Sequence, residues 1–224
     1  MDPRELELRR AIIAAAREMN AIGLNQGTSG NISARWQDRM LITPSAVPYD
    51  ALEPEALASL PVEGDYGSFE GPLPPSTEWR FHLDITRARP EVGAIVHAHS
   101  TYATTLACCR KAIPACHYMI AASGGPTIRC SDYATYGTKE LSVAALAALA
   151  DRSCCLLANH VMIATGANLA KAMWLAVELE TIARQYYLAL AIGGPVILPD
   201  AEIAQVKERF KGYGLRDKET PPVE

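Results

Sequence analysis

Val92-Gly93-Ala94-Ile95-Val96-His97-Ala98-His99-Ser100 is an apolar run that closes on two histidines one residue apart. Side chains of an extended strand alternate between faces, so Val92, Ala94, Val96 and Ala98 line one side while His97 and His99 emerge together on the other. Paired imidazoles suit a divalent metal, because neutral imidazole ligates zinc at about 2.0–2.1 Å and zinc takes about four ligands. Two polar residues marking a strand end would read the same way, so further ligands must come from elsewhere in the chain.

Upstream, a breaker-rich stretch over 61–75 feeds Ser76-Thr77-Glu78-Trp79-Arg80-Phe81-His82. Ser76 or Thr77 is expected to cap a helix that stops before Pro90. The first turn of such a helix offers unpaired N–H groups and a positive dipole end, which stabilise an anion and favour a carboxylate such as Glu78. Downstream, residues 101–110 read as a helix, and Ile113–Ala122 as an apolar strand-like run carrying His117 and Tyr118. A loop with Tyr133 and Tyr136 precedes a helix from about Thr138 to Ala150. Ser153–His160 reads as a second buried strand ending in a histidine, followed by Val161–Ala164. A long helix from Asn168 to about Ile192 is apolar on most of its circumference, and Asp200 caps a last one to Lys211.

Before all this, Asp2 and Pro3 start a helix that runs to about Ile22 and stops at Gly23. Gly23–Ser33 is turn-rich: Gly27 and Gly30 allow close backbone approach to a ligand, and Thr28, Ser29, Asn31 and Ser33 supply polar groups, so the loop can cradle a phosphate. It has no Gly-Lys-Ser/Thr and so is not the nucleoside-triphosphate loop. It passes into an extended Ile32–Trp36, and a short strand around Met40–Thr43 runs into a second small turn, Pro44-Ser45-Ala46.

The 224 residues are 49% hydrophobic and 21% charged, enough to bury one substantial core, with no internal repeat or linker. Strands alternating with helices make a layered α/β domain. A net charge of -4 gives no basic footprint for nucleic acid, and no run reaches the roughly 18 apolar residues that span a bilayer. The acidic start without an apolar signal core is read as cytoplasmic. Six cysteines, two adjacent pairs and two isolated, without Cys-x-x-Cys, are read as free thiols of a reducing compartment.

Three of the five histidines, His97, His99 and His160, are expected at strand ends. With Glu78 they form the inventory of a Lewis-acid zinc site. His82, one turn after Glu78, could join the metal but is better read as structural or supporting. If an anion sits on Gly27–Asn31, Ser45 and the Ser76–Thr77 helix end, the substrate is a small phosphorylated carbonyl compound, and the chemistry is enolate formation beside a metal.

Gly-Leu-Asn-Gln-Gly-Thr-Ser-Gly-Asn-Ile-Ser, Met-Leu-Ile-Thr-Pro-Ser, Ser-Thr-Glu-Trp-Arg-Phe-His, Val-His-Ala-His, Ile-Pro-Ala-Cys-His-Tyr-Met-Ile-Ala-Ala, Tyr-Ala-Thr-Tyr-Gly-Thr and Phe-Lys-Gly-Tyr-Gly-Leu-Arg together span nearly the full chain. In these motifs the sequence resembles the class II aldolases, the family of L-fuculose-1-phosphate aldolase and L-ribulose-5-phosphate 4-epimerase. The resemblance implies a three-layer α/β/α sandwich with a central, largely antiparallel sheet, formed by one domain over 1–216 with 217–224 as a mobile tail. It implies zinc, or another divalent metal, on Glu78, His97, His99 and His160, with Glu78 also moving the C3 proton of the ketose. It implies a phosphate site from Thr28, Gly30, Asn31, Ser45, Ala46, Ser76 and Thr77. Tyr118 would handle the aldehyde oxygen's proton, Tyr136 would shape the aldehyde pocket, and Tyr213 would close over the site. The family further implies a cytoplasmic homotetramer with sites at subunit interfaces, so that Tyr118 and Tyr213 act across an interface.

The implied reaction is cleavage of L-fuculose 1-phosphate to dihydroxyacetone phosphate and L-lactaldehyde. A lyase for a 5-deoxypentulose or methylthio-sugar phosphate is the first alternative, followed by the 4-epimerase, against which His117-Tyr118 speaks. A decarboxylase or a non-catalytic metal binder on the same scaffold completes the set. Two departures stand out. The family usually has His-His-Gly where this chain has Asn159-His160-Val161, and glycine where this chain has Ala46. If the latter position needs a positive φ, alanine costs roughly 1 kcal/mol.

Overall fold

In the computed structural model, which describes residues 1–210, the quoted run forms the strand Ala94–Ala98 at the middle of a six-stranded sheet. The strands are β1 (Asn31–Trp36), β2 (Arg39–Ile42), β3 (Ala58–Pro61), β4 (Ala94–Ala98), β5 (Cys154–Leu156) and β6 (Met162–Gly166). Their order is β3-β2-β1-β4-β6-β5, and every neighbouring pair is antiparallel. The helices are α1 (Pro3–Ala21), α2 (Trp79–Ala88), α3 (Thr101–Cys108), α4 (Lys139–Ala148), α5 (Leu169–Ala191) and α6 (Asp200–Phe210).

The pleat of β4 sorts the helices into two layers. Ala94, Val96 and Ala98 join a core with Ile12, Ile13 and Met19 of α1, Leu106 of α3 and Ala176 and Leu179 of α5. Ile95 points the other way, into a core with Phe81 and Ile85 of α2 and Leu141 and Ala145 of α4. The expected three-layer sandwich is the observed fold. Burial of a large aliphatic or aromatic side chain contributes about 1.5–3 kcal/mol, and the fully covered Phe81, Ile12, Ile32 and Leu83 show that both faces are closed.

Helix ends follow local chemistry. Asp2 accepts a hydrogen bond from the backbone N–H of Arg4 at 2.7 Å with Pro3 at the first position, Thr138 accepts from Leu141 N, and Asn168 from Lys171 N. Three expectations change. The strand-like reading of Ile113–Ala122 gives way to one bridge, Ile113 with Ile128, and a 3₁₀ turn at Tyr118–Ser123. A short apolar run is buried in either conformation, and Pro114 supplies no ladder donor. The α2 N-cap is Glu78, not Ser76 or Thr77; the Ser76 hydroxyl instead accepts from Glu78 N at 3.3 Å, forming a turn before the helix. The Ser153–His160 strand ends at Leu156, and residues 157–160 make a tight connection into β6, closed by Leu157 N donating to Val161 O at 2.6 Å. β3 was not foreseen, and the expected tail at 217–224 lies outside the described residues.

Candidate metal centre and cleft

Four ligand atoms from three places converge at one end of the sheet. β4 presents His97 on its α2 face and His99 just past its end, α2 starts at Glu78, and the β5–β6 connection carries His160. One ligand atom from each lies within 4.8 Å of all the others. The rings of His97, His99 and His160 stand 5.2–5.5 Å apart, centroid to centroid, and nearly edge to face.

The environment fits a cation. Glu78 is 5% exposed and His97 is fully buried. His97 Nε2 lies 2.9 Å from Glu78 Oε2, and His160 Nε2 lies 3.2 Å from Oε1. Even so, Glu78 Oε1 and both ring nitrogens of His97 are buried without a hydrogen-bond partner of good geometry. Each such atom costs about 1–3 kcal/mol, and a cation shared between three imidazoles and a carboxylate satisfies Glu78 Oε1 and one ring nitrogen of His97 together. Burial pulls the His99 and His160 imidazoles down to about 4, helped by neighbouring His97, so both are neutral and ligand-competent near pH 7. Burial alone would raise the Glu78 carboxyl, but His97, His160 and the Asn31 amide outweigh it and hold it well below the usual carboxylate range.

Glu78, His99 and His160 open onto a cleft of about 280 Å³, with Ser29 and Thr77 on one side and Tyr133, Ala134, Tyr136 and Asn159 on the other. Of the expected phosphate residues, Ser45 and Ser76 are brought together. Pro44 bridges Pro75, Ser45 N donates to Pro74 O, and Ser76 N donates to Thr43 O. Ala46 has φ +58°, so this turn does require the left-handed conformation. Gly30 has no space for a side chain, since a Cβ would stand 2.8 Å from both His97 O and Asn25 Oδ1. The Asn31 carboxamide is taken up by Glu78 and His82. Thr28 lines a neighbouring cleft with Arg17, Asn20 and Asp50, not the one at Glu78. Tyr118, 47% exposed, does not line the Glu78 cleft of this chain, whereas Tyr136, 66% exposed, does. Tyr213 lies outside the described residues.

Sequence reasoning missed two contributors. Buried Asn25 accepts from His99 N at 3.0 Å and donates to Asn20 Oδ1, tying the Gly-rich loop to the strand end. Asn159 lines the cleft with φ +52°, a conformation asparagine tolerates, which leaves Val161 free to be a fully buried core residue. The available signals were asparagine in a turn and, at Asn159, the departure from the family's His-His-Gly.

An antiparallel three-layer fold thus carries three histidines and a carboxylate at one end of its sheet, a donor set able to hold a divalent cation, and the comparisons with known proteins give the class. Residues 10–187 match the Class II Aldolase and Adducin N-terminal domain, and the chain belongs to this family. It is 50% identical, over 93% of both chains, to a 5-methylthioribulose-1-phosphate/5-deoxyribulose-1-phosphate aldolase of Rhodospirillum rubrum. It is 49% identical to an L-fuculose phosphate aldolase of Escherichia coli O6:H1, over 95% of this chain and 98% of the relative. A solved L-fuculose 1-phosphate aldolase superposes with a TM-score of 0.88 at 39% identity, covering 92% of this chain and 96% of the other. The protein is a class II aldolase, an enzyme of the metal-dependent lyase type. No helix among the described residues is long and apolar enough to cross a membrane.

Proposed function

We propose that this enzyme cleaves a ketose 1-phosphate with an apolar far end, L-fuculose 1-phosphate first, to dihydroxyacetone phosphate and an aldehyde such as L-lactaldehyde. The observation that carries the reading is the cluster of Glu78, His97, His99 and His160, with its unpaired buried atoms, beside a cleft walled by Tyr133 and Tyr136. Those four residues would hold the divalent cation, Zn²⁺ by donor type. Such a cation supplies polarisation of the C2 carbonyl and stabilises the negative charge that develops on oxygen.

The protein's own groups do the rest. Cleavage breaks the C3–C4 bond: the C4 hydroxyl loses its proton, its oxygen becomes the aldehyde, and the bonding pair moves to C3 in conjugation with C2. Glu78, ionised in the free enzyme, takes up the proton that leaves the C4 hydroxyl, relayed by way of Tyr118, and returns it to C3, so that no proton is gained or lost overall. Tyr118 is assigned to the C4 hydroxyl proton from a neighbouring subunit, because its phenol is exposed and away from its own chain's cleft. That assignment requires an oligomer, for which the homotetramer of the family is the expected form, and the exposed Tyr187, Leu188, Leu190 and Ile192 at the end of α5 suit a subunit contact. The phosphate is assigned to Ser45, Ala46, Ser76 and Thr77, beside the N-terminus of α2, with Thr28, Gly30 and Asn31 along the adjoining loop. Six free cysteines suit a cytoplasmic setting.

A second reading, a 5-methylthioribulose or 5-deoxyribulose 1-phosphate aldolase, is favoured by the Rhodospirillum rubrum relative. All three substrates yield dihydroxyacetone phosphate, so one coupled assay of its release, with and without chelator, serves for all. The highest kcat/KM on fuculose phosphate supports the first reading, and the highest on a deoxy- or methylthio-pentulose phosphate installs the second. No release from any of them by the metal-loaded enzyme would sink both.

A further inference from the structure

A line of buried polar groups runs behind the cluster. Ser33 Oγ lies 2.7 Å from His82 Nδ1, His82 Nε2 lies 2.5 Å from Asn31 Oδ1, and Asn31 Nδ2 donates to Glu78 Oε2 at 3.1 Å. Ser33, His82, Asn31 and Glu78 are all at most 5% exposed, and Phe81 stacks on the His82 ring at 4.6 Å.

The donors and acceptors in this line can be assigned. An ionised carboxylate only accepts, so the amide nitrogen of Asn31 must face Glu78 and its oxygen must face His82. The oxygen only accepts, so His82 Nε2 must carry the hydrogen. Nδ1 is then the acceptor, and the Ser33 hydroxyl donates to it. Burial lowers the His82 pKa to about 3, which keeps this single-proton form across the working range. Were the Asn31 amide to flip, its oxygen would oppose the carboxylate and its nitrogen would oppose the imidazole N–H. Both contacts would be repulsive.

We propose that His82 is a positioning residue: its Nε2–H locks the Asn31 carboxamide so that the amide N–H fixes Glu78 Oε2, leaving Oε1 as the carboxylate oxygen without a hydrogen bond. The inference rests on the reading of Glu78 as ligand and proton carrier. It goes beyond that reading by making the carboxylate's orientation depend, through Asn31, on His82, which lines neither the cleft nor the cluster of candidate ligands. A histidine serving only to fill the core would need its ring volume and not its tautomer.

The first test is spectroscopic and independent of turnover. Long-range proton–nitrogen correlation spectra of protein labelled with nitrogen-15 histidine, metal-free and zinc-loaded, should show His82 as the Nε2–H tautomer at neutral pH in both states; the Nδ1–H tautomer overturns the proposal. The second test is kinetic. His82→Phe keeps an aromatic ring but no donor, and should lower kcat about 10–100-fold, as loss of a group supporting a metal ligand does, and weaken zinc affinity in chelator competition. His82→Gln restores a donor near the Nε2 position and should hold kcat and KM within about threefold of the parent. Equal losses in both variants, tracking only their melting temperatures, make His82 structural and overturn the proposal. If His82→Phe does not fold, the tautomer decides. If the unsubstituted enzyme releases no dihydroxyacetone phosphate, the proposed function fails while the tautomer still judges the positioning of Glu78.

Discussion

The inner wall of the cleft, Glu78, His99 and His160 backed by His97, is held by strands, a helix start and a tight connection, and Glu78 and His97 are buried; the outer wall, Tyr133 and Tyr136, sits exposed on a loop. The inner wall is costly in the free protein. It leaves carboxylate and imidazole atoms unpaired where water does not reach, and such atoms are tolerated only where a ligand repays them. The outer wall carries no such penalty and can vary with little effect on stability. On the proposed function the contrast would separate chemistry from substrate choice, with one wall assigned to the reaction and the other to the aldehyde.

Five measurements can break or sharpen that contrast. Glu78→Gln should lower kcat by about 10²–10⁴-fold while zinc remains bound, the range expected for a lost general acid–base group. Turnover and metal content measured together decide it; unchanged turnover removes Glu78 as the proton carrier. Stripping the metal should cost stability as well as activity, about 4 kcal/mol for a cation present at a thousandfold its Kd. The metal-free protein should also melt earlier as the pH falls. His82, His99 and His160 have folded pKa values of about 3, 4 and 4, below the ordinary 6.5. The unfolded chain therefore binds more protons between those limits, and stability is full above 6.5 and lost towards 4. Glu78, held low, keeps its contribution through that window. Thermal melts across this range check the sign.

On the outer wall, Tyr136→Ala should change the ratio of kcat/KM between fuculose and methylthio-pentulose phosphates by about tenfold and leave the melting temperature nearly unchanged. A loss of the same size on every substrate would place Tyr136 with the chemistry. The smallest effect is expected at the Ala46 turn. Ala46 holds φ +58°, so Ala46→Gly should stabilise by about 1 kcal/mol and raise the melting temperature by roughly 2–4 °C.

Much of this was legible in the chain. The alternation in Val92–Ser100 placed His97 away from Ala94 and Val96, and the pleat of β4 keeps them apart. Asp2, Thr138 and Asn168 marked helix starts by the bonds their side chains make. Glycine-to-alanine at position 46 pointed to a positive φ, and the backbone has one. Ile113–Ala122 was misread because apolar character reports burial and not backbone conformation. The Ser33–His82–Asn31 line was invisible because its members, distant in sequence, meet only when β1 lies against α2.

By itself the sequence determined the layered α/β class, the caps at Asp2, Thr138 and Asn168 and the four candidate metal-ligating residues, because alternation, caps and ligand chemistry are local properties. Only the tertiary structure decided which atoms face one another. It set Glu78 Oε2 against an amide, left Oε1 and His97 unpaired, engaged His82 with Asn31, and kept Tyr118 out of the lining of its own chain's cleft. Hydrogen-bond partnership depends on distance and direction in space, and no local pattern along a chain encodes either.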